Sequence, residues 1–358
     1  MKVNFLLPHF GINPTGGFKI VYEYANYLAQ QGHDISIVHG HFINNTKERV
    51  VICTKDYIKL FLLKRKKWIN INKNIKLIYA PKLEEKYIPN ADVTVATAWQ
   101  TADVLAHMPL EKGKKLYLIQ HYEIWNGSKE DVDRTWKNKD MHKIMISKWL
   151  IDIAKKMDIP DDEITYIPNA LDHNKFKMLK SIEGRKKIIS MMYSDVDWKG
   201  GKEGIEALKE VKKNNPEVQI RLFGKGKRNE SIPEWMQYYE NPKQNVLVEE
   251  IYNESSIFLC PSWFEGWGLP PMEAMACGCA VVTTDNGGVS DFAINNETAL
   301  VCKPKDVKEM SSLLIKLVND DDLRVKLAES GKNNVQNFTW EKSFKKFEDI
   351  LIKLNNNK

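Results

Sequence analysis

The sequence predicts an α/β protein built from two doubly wound domains. Short apolar runs of strand length alternate with segments of helical periodicity along most of the chain, which is typical of βαβ units and parallel sheets. The chain of 358 residues suits two domains of about 170 residues each. A charged, turn-rich stretch at residues 172–185 separates two series of such elements.

The first series begins close to the N-terminus. Val3–Leu7 is predicted as a strand, residues 8–17 as a loop, and the following helix ends at Gly32. The apolar face of that helix consists of Ile20, Tyr24, Tyr27 and Leu28. Ser147 is the predicted N-cap of a helix over Lys148–Met157, because a serine hydroxyl accepts hydrogen bonds from first-turn amides. The other predicted strands are Ile35–Val38, Ile75–Tyr79, Val93–Ala98, Leu116–Gln120, Ile144–Ile146 and Ile164–Ile167.

The second series follows residue 185. Its predicted strands are Lys187–Tyr193, Val218–Phe223, Ile257–Cys260 and Ala280–Thr284. Its predicted helices are Gly201–Asn214, Pro270–Ala276, Val307–Val318, Asp322–Asn333 and Glu341–Leu354. Doubly wound sheets bind ligands at the carboxyl ends of their strands, so we expect a ligand site in a cleft between the two domains.

Composition and charge restrict the function classes. The net charge of +6 suits anionic ligands such as nucleotides or lipid head groups. No stretch approaches the roughly 18–20 apolar residues of a spanning helix, and the N-terminus resembles a strand more than a signal peptide. The five cysteines lack zinc-ligand spacing and are expected to be free thiols of a cytoplasmic protein. No nucleic-acid-binding pattern is present, so we predict no nucleic-acid partner.

The most informative segment follows the predicted strand Ile257–Cys260. Its loop contains Gly266 and Gly268, and a helix begins next to Leu269. Glycines allow close approach of the backbone to a ligand, and the amides of a helix start attract anions.

Two glutamates in this segment stand eight residues apart. Glu265 lies in the loop and Glu273 in the predicted first turn of the helix, so both can project into one pocket. Carboxylates there would accept hydrogen bonds from sugar hydroxyls.

The residues around these glutamates resemble the signature of the retaining glycosyltransferases of family 4, the glycosyl transferases group 1. The segment reads Pro-Ser, then Glu-Gly-Trp-Gly-Leu-Pro, then Glu-Ala-Met-Ala-Cys-Gly. The resemblance implies the GT-B fold, in which two Rossmann-like domains face each other across a cleft. It places an acceptor-side domain at residues 1–172, a nucleotide-sugar-binding domain at 173–335, and a helix crossing back to the first domain at 336–358.

The resemblance implies site residues in the first domain. Gly16 and Gly17 match the family's glycine loop, whose amides meet the donor diphosphate. His121 occupies the position of the family's active-site histidine, which contacts and orients the sugar. Asn169 lies in Pro-Asn-Ala-Leu-Asp, which resembles the motif that ends the first domain, and is predicted to bind the donor.

It also implies site residues in the second domain. Lys199 would stabilise the departing diphosphate, Glu265 would hold sugar hydroxyls at the reacting centre, and Glu273 would accept from the ribose. Lys225 lies in the glycine turn close to the nucleotide base. The backbone amides predicted to contact the donor are those of Gly266, Gly268 and Leu269.

One position departs from the family pattern. The family commonly has an arginine about six residues before Lys-Gly, and Tyr193 or Ser194 stands there in this chain. An ammonium alone lacks the bidentate bonding of a guanidinium. The candidates to replace the arginine are Lys225, Lys202 and Arg221, and the sequence does not choose among them.

The predicted function is therefore a retaining, hexosyltransferase-type glycosyltransferase without a cofactor or required metal. It would move sugar from a nucleoside diphosphate sugar to a glycan or lipid-linked acceptor in cell-surface polysaccharide or glycoconjugate synthesis. Asp195-Val196-Asp197 matches a manganese-binding motif of another glycosyltransferase fold and is interpreted here as a turn.

Other functions stay open. They are a nucleotide-sugar epimerase or sugar-phosphate-forming transferase of the same fold, and a degenerate non-catalytic partner subunit. A dinucleotide oxidoreductase is disfavoured because the first loop lacks G-x-G-x-x-G.

Residues 57–69 combine an apolar run, four consecutive cations and a tryptophan. Such a segment is compatible with an interfacial helix on an anionic membrane surface, which would make the protein peripheral to the inner face of the membrane. An ordinary helix with a solvated basic end fits the same residues.

Overall fold

The computed structural model describes residues 1–9, 16–41 and 70–356. The described chain forms two compact units. The first unit comprises residues up to Asn169 together with those from Glu341 onward, and the second comprises Ala170–Trp340. Each unit is built on a parallel sheet, as the alternation of strand and helix patterns predicts.

The described part of the first unit has a seven-stranded sheet in the order β3-β2-β1-β4-β5-β6-β7. Its strands are β1 (Lys2–Leu7), β2 (Asp34–His39), β3 (Lys76–Tyr79), β4 (Val93–Ala96), β5 (Lys114–Ile119), β6 (Met141–Met145) and β7 (Ile164–Tyr166). Its helices before the second unit are α1 (Gly16–Gln30), α2 (Trp99–Ala106), α3 (Lys129–Trp136) and α4 (Lys148–Lys156). Strand β1 pairs with β2 on one side and β4 on the other, which makes the carboxyl ends of β1 and β4 the topological switch point of this sheet.

The second unit has a six-stranded parallel sheet in the order β10-β9-β8-β11-β12-β13. Its strands are β8 (Ile188–Met192), β9 (Gln219–Gly224), β10 (Gln237–Glu240), β11 (Ile257–Cys260), β12 (Ala280–Thr284) and β13 (Leu300–Cys302). Its longer α-helices are α5 (Gly201–Asn214), α6 (Leu269–Ala276), α7 (Val307–Asn319) and α8 (Asp321–Val335). A short α-helical segment at Gln244–Val246 continues as a π-helix at Leu247–Tyr252. The switch point of this sheet lies between β8 and β11.

The last helix, α9 (Trp340–Asn356), packs on the first unit. Its buried stripe contains Phe347, whose ring stacks on Tyr24 with a centroid distance of 4.2 Å and on Phe5 at 6.1 Å. Glu348 accepts a hydrogen bond from the Tyr27 hydroxyl at 2.8 Å and contacts the His33 ring nitrogen at 2.9 Å.

The structure corrects two local expectations in the first unit. Gly16 and Gly17 were predicted in a loop and instead begin α1, so the helix starts earlier than the apolar periodicity indicates. Ser147 occupies the N-cap of α4 as predicted, but its buried hydroxyl makes no capping hydrogen bond.

Candidate functional site

An ion pair lies at the switch point of the second sheet. Lys199 ends a 3-10 turn (Asp197–Lys199) that follows β8, and Glu265 lies in the loop that follows the neighbouring strand β11. The Lys199 ammonium lies 2.8 and 2.9 Å from the two carboxylate oxygens of Glu265. The Ser262 hydroxyl donates to the same carboxylate at 2.8 Å. Both charged residues were predicted site residues, but their mutual contact was not predicted.

Glycines on both sides allow this pairing. Gly200 has φ of 66°, and a β-carbon there would collide with the carbonyl oxygen of Pro261. A β-carbon on Gly288 would lie 2.7 Å from the carbonyl oxygen of Glu265. The Glu265 amide in turn donates to the carbonyl of Asn286 at 2.9 Å. Close backbone packing therefore fixes both partners of the ion pair, and only 9% of Glu265 is exposed.

Helix α6 starts beside this pair. Gly268 is its N-cap, with φ of 93°, and a β-carbon there would lie 2.8 Å from the Val289 side chain. The predicted strand–loop–helix arrangement with Gly266, Gly268 and Leu269 at the helix start is therefore present.

Glu273 was predicted in the first turn of α6, and the structure corrects this position. The helix already begins at Leu269, so Glu273 is its fifth residue and lies one residue beyond the first turn. Its carboxylate accepts a hydrogen bond from the hydroxyl of Tyr252 at 3.0 Å. Tyr252 ends the π-helix and is fully buried, and burial raises the pKa of its hydroxyl well above the ordinary value. The two glutamates thus have different partners, and Tyr252 is a residue that the motif did not reveal.

Lys225 follows β9 directly, next to β8 in the sheet. Burial of its ammonium group and the positive charge of Lys199 lower the pKa of Lys225. The structure therefore brings the charges of these two predicted donor-binding lysines into interaction.

The position of the missing arginine is occupied by a structural side chain. Tyr193 is 7% exposed, and its hydroxyl donates to Asp195 at 2.9 Å and lies 3.2 Å from the Ser231 hydroxyl. Asn229 also donates to Asp195, at 2.7 Å. Tyr193 therefore links the end of β8 to the loop that follows Lys225 rather than supplying a cation.

The Asp-x-Asp motif has protein partners. Asp195 takes part in the Tyr193 network, and Asp197 pairs with Lys202 at 3.1 Å. In the described part of the chain, no group of three or more His, Cys, Asp and Glu side chains is arranged to hold a metal ion. The cysteines of the described chain, Cys260, Cys277, Cys279 and Cys302, are free and buried, and burial raises the pKa of each thiol.

Gly17, at the start of α1, lies close to the loop that follows β5 and carries His121. A β-carbon on Gly17 would lie 3.2 Å from the side-chain oxygen of Gln120, the residue before His121. Two aromatic rings that were not among the predicted site residues flank His121. The rings of Trp125 and Trp149 meet the imidazole edge-on with centroid distances of 4.2 and 5.8 Å.

The loop that carries His121 is attached to the start of α2. Glu123 accepts a hydrogen bond from the amide of Trp99, the first residue of α2, at 2.8 Å. The Trp99 indole donates to the carbonyl of Asn126 at 3.0 Å, and a β-carbon on Gly127 would collide with the same ring. Burial raises the pKa of Glu123 to about 7, from an ordinary value of 4.5.

Asn169, the last residue of the first unit before the boundary, is 4% exposed. Within the described chain, its side-chain oxygen is buried without a hydrogen-bond partner. Residues 57–69, the candidate membrane segment, lie outside the described residues. The helices that the structure does describe include none that is long and apolar enough to cross a bilayer.

Sequence comparison relates part of the chain to known glycosyltransferases. The family model described as glycosyl transferases group 1 matches residues 173–334. An uncharacterized glycosyltransferase of Methanocaldococcus jannaschii is 26% identical over 193 residues, which cover 49% of this chain and 54% of that protein. The capsular polysaccharide biosynthesis glycosyltransferase CapM of Staphylococcus aureus is 29% identical over 147 residues, 39% of this chain and 38% of CapM. The matched segments thus span about half of these relatives or less.

Solved structures resemble the whole chain at low sequence identity. Sucrose-phosphate synthase from Thermosynechococcus elongatus has a TM-score of 0.73 at 15% identity, covering 99% of this chain and 98% of the other. HepE of Anabaena, solved in complex with UDP-glucose, has a TM-score of 0.75 at 14% identity, covering 99% and 100%. The predicted fold class, two Rossmann-like domains of the GT-B type, is confirmed.

Proposed function

From the premise that residues 173–334 belong to the glycosyl transferases group 1 family, we propose that this chain transfers a sugar from a nucleoside diphosphate sugar to a glycan or lipid-linked acceptor. The observation that carries the proposal is the Lys199–Glu265 ion pair at the switch point of the second sheet. Ligands of doubly wound sheets bind at such points, and this pair offers a cation and a carboxylate to one ligand.

The charges suit the leaving group of this reaction. Lys199, with its orientation fixed by Glu265, would bind the diphosphate and stabilise the negative charge that develops as the bond to the sugar breaks. Glu265 would accept from hydroxyls of the transferred sugar, and Glu273, oriented by Tyr252, would accept from the ribose. The amides of Gly266, Gly268 and Leu269 add donors at the start of α6.

In the first unit, His121 would contact the sugar, and the amides of Gly16 and Gly17 would meet the diphosphate at the start of α1. Asn169 would use its buried side-chain oxygen as an acceptor toward the donor. These roles follow the family resemblance.

The proposed reaction retains the anomeric configuration. The acceptor oxygen bonds to the anomeric carbon on the face from which the diphosphate departs, and a diphosphate oxygen takes the acceptor proton. Protein cations and helix amides stabilise the leaving group, so the proposed reaction needs no metal. The anomeric configuration of the product, read by NMR coupling constants, tests retention. Activity that EDTA removes and Mn²⁺ restores would refute metal independence.

The test of transfer uses radiolabelled UDP-, GDP- and dTDP-sugars with and without membrane extract as the source of acceptor. UDP-glucose comes first because a solved structure of similar fold holds it. We expect slow hydrolysis of one donor alone and label in a glycan or lipid fraction when acceptor is present. Glu265→Gln and Lys199→Met should each lower both rates at least about 100-fold. Lys199→Met removes the cation at the leaving group, and Glu265→Gln removes the carboxylate that orients Lys199 and accepts from the sugar hydroxyls.

Lys209→Met is the matched control, since it breaks an exposed ion pair with Glu206 on α5 and should leave the rates unchanged. Interconversion of the donor sugar without acceptor would instead identify an epimerase. Turnover that is unaffected by Glu265→Gln would indicate a contaminating enzyme and a non-catalytic subunit.

For residues 57–69 we propose an interfacial role that keeps the protein at the inner face of the membrane. Co-sedimentation with vesicles rich in phosphatidylglycerol should weaken with added salt. Charge reversal at Lys64, Arg65, Lys66 and Lys67 should abolish the binding, and undiminished binding would contradict the role.

A further inference from the structure

The proposed donor site at the switch point of the second unit needs more positive charge than Lys199 supplies. The carboxylate of Glu265 compensates Lys199, so this pair alone carries no net positive charge. A diphosphate brings at least two negative charges, which need further cations for strong binding. The second cation must come from elsewhere.

The three candidates differ in their surroundings. Lys202 is 83% exposed at its side chain and pairs with Asp197 at 3.1 Å. Arg221 points to the π-helix, where it donates to the carbonyl of Glu250. Lys225 follows the carboxyl end of β9, the strand beside β8, and the charge of Lys199 acts on it.

The loop after Lys225 has a defined anchorage. The Tyr238 hydroxyl donates to the carbonyl of Gly226 at 2.8 Å. Tyr193 contacts Ser231 and Asp195, and Asp195 in turn accepts from Asn229. Strand β10 thus holds the loop at Gly226, and the residues that follow β8 hold it at Asn229 and Ser231.

From this arrangement we infer that Lys225 is the second diphosphate-binding cation beside Lys199, and that Tyr193 is the residue that positions its loop. The Lys225 ammonium adds a positive charge beside the neutral Lys199–Glu265 pair at the carboxyl edge of this sheet, which favours the binding of a diphosphate there. Tyr193 thus stands where the family commonly has an arginine. Its contacts hold the loop that follows β9 and carries the cation Lys225. The inference rests on the proposed function and concerns the same site.

The test measures the dissociation constant of inorganic pyrophosphate and of UDP by isothermal titration calorimetry. Pyrophosphate reports the diphosphate contacts whatever the nucleotide base. Lys225→Met should weaken pyrophosphate binding about 10- to 100-fold, the effect of losing one charge-assisted contact. Lys225→Arg should stay within about threefold of the wild type because it keeps the charge. The matched controls Lys227→Met and Lys202→Met remove a lysine of the same loop and the rival cation, and neither should change the affinity.

The positioning role of Tyr193 is tested by a double-mutant cycle. Tyr193→Phe removes the hydroxyl that contacts Asp195 and Ser231 and should weaken pyrophosphate binding about three- to tenfold. In the Lys225→Met background it should have no further effect on binding, although any loss of thermal stability persists. If Tyr193→Phe weakened pyrophosphate binding equally in both backgrounds, Tyr193 would not act through Lys225, and its positioning role would be refuted.

The outcomes separate the two proposals. A wild-type chain that binds neither pyrophosphate nor any nucleoside diphosphate contradicts the proposed function and this inference with it. If the wild type binds pyrophosphate, two results would overturn this inference alone. They are an unchanged affinity in Lys225→Met and a lost affinity in Lys202→Met.

Discussion

Glu123 lies in the loop that carries His121, and its partly buried carboxyl accepts a hydrogen bond from the first amide of helix α2. Because burial raises its pKa to about 7, the folded state holds this proton more tightly than the unfolded state, where the pKa is near 4.5. The carboxyl therefore contributes most to stability below pH 4.5, and this contribution is lost as the pH rises to 7.

We expect Glu123→Gln, which keeps an acceptor for the Trp99 amide, to remove this pH dependence. The free energy of unfolding of the wild type relative to the variant should fall by up to about 3 kcal/mol between pH 4.5 and 7.5. Urea unfolding at a series of pH values measures the difference, and the comparison cancels the titration of other groups. A constant difference across this range would show that Glu123 ionises normally.

Gly200 is the residue that lets Lys199 reach Glu265. With φ of 66° and the Pro261 carbonyl in the way of a β-carbon, Gly200→Ala should destabilise the second unit by at least about 2 kcal/mol. Gly184→Ala is the control, since Gly184 has a similar φ of 72° and no atom within 4 Å of a β-carbon. The control should lose only about 1 kcal/mol of stability, which is the cost of an alanine in the left-handed region. Thermal unfolding compares the two, and equal losses would mean that the loop gives way around the new methyl group.

At the scale of single residues, the sequence predicted which residues belong to the site but not which of them are in contact. Residue types and glycine spacing indicated Glu265, Glu273 and Lys199, because each belongs to a local motif. The contact between Lys199 and Glu265 joins residues 66 positions apart and depends on how two loops leave neighbouring strands. Tyr252 and Trp149 were missed for the same reason, because each is distant in sequence from the residue that it contacts, Glu273 and His121 respectively.

At the scale of elements, the strands and helices with a clear apolar pattern were predicted, and those with a short or weak one were missed. The buried strands were found because they are continuous apolar runs. Edge strand β10 was missed because its sequence, Gln-Tyr-Tyr-Glu, has little apolar pattern. Edge strand β13 is apolar but was missed because it has only three residues. Helix α3 was missed since five of its eight residues are charged, and α2 because it follows β4 after only two residues.

Helix α9 gives an element-scale prediction. Phe347 is fully buried against Tyr24 and Phe5, so Phe347→Ala should lower the free energy of unfolding of the first unit by about 3–5 kcal/mol. Ile352→Ala on the same helix is the control, because Ile352 is 41% exposed and its loss should cost less than about 1 kcal/mol. Hydrogen exchange read by mass spectrometry should localise the loss of protection to the sheet and helices of the first unit. Loss of protection confined to α9 would show that the helix detaches without affecting the sheet.

At the scale of the whole molecule, the two units differ in how the chain forms them, because one is continuous in sequence and the other consists of two segments. The second unit is one continuous segment, Ala170–Trp340, and the first is completed only when α9 returns to it. The core of the second unit runs from Ile182 to Ala328, entirely within that segment. The core of the first unit includes rings of α9, which the chain supplies last.

This difference predicts how fragments behave. A fragment of residues 170–340 keeps every core residue of its unit and is as large as an ordinary domain, so it should unfold in urea in one cooperative transition. A fragment of residues 1–169 lacks α9 and leaves Phe5, Tyr24 and Tyr27 uncovered, so it should bind the dye ANS and aggregate. Addition of a peptide of residues 338–358 should reduce the ANS signal, and the same peptide with Phe347→Ala is the control that should not. A well-folded fragment of residues 1–169, or a second unit without a cooperative transition, would contradict the view that α9 completes the first unit alone.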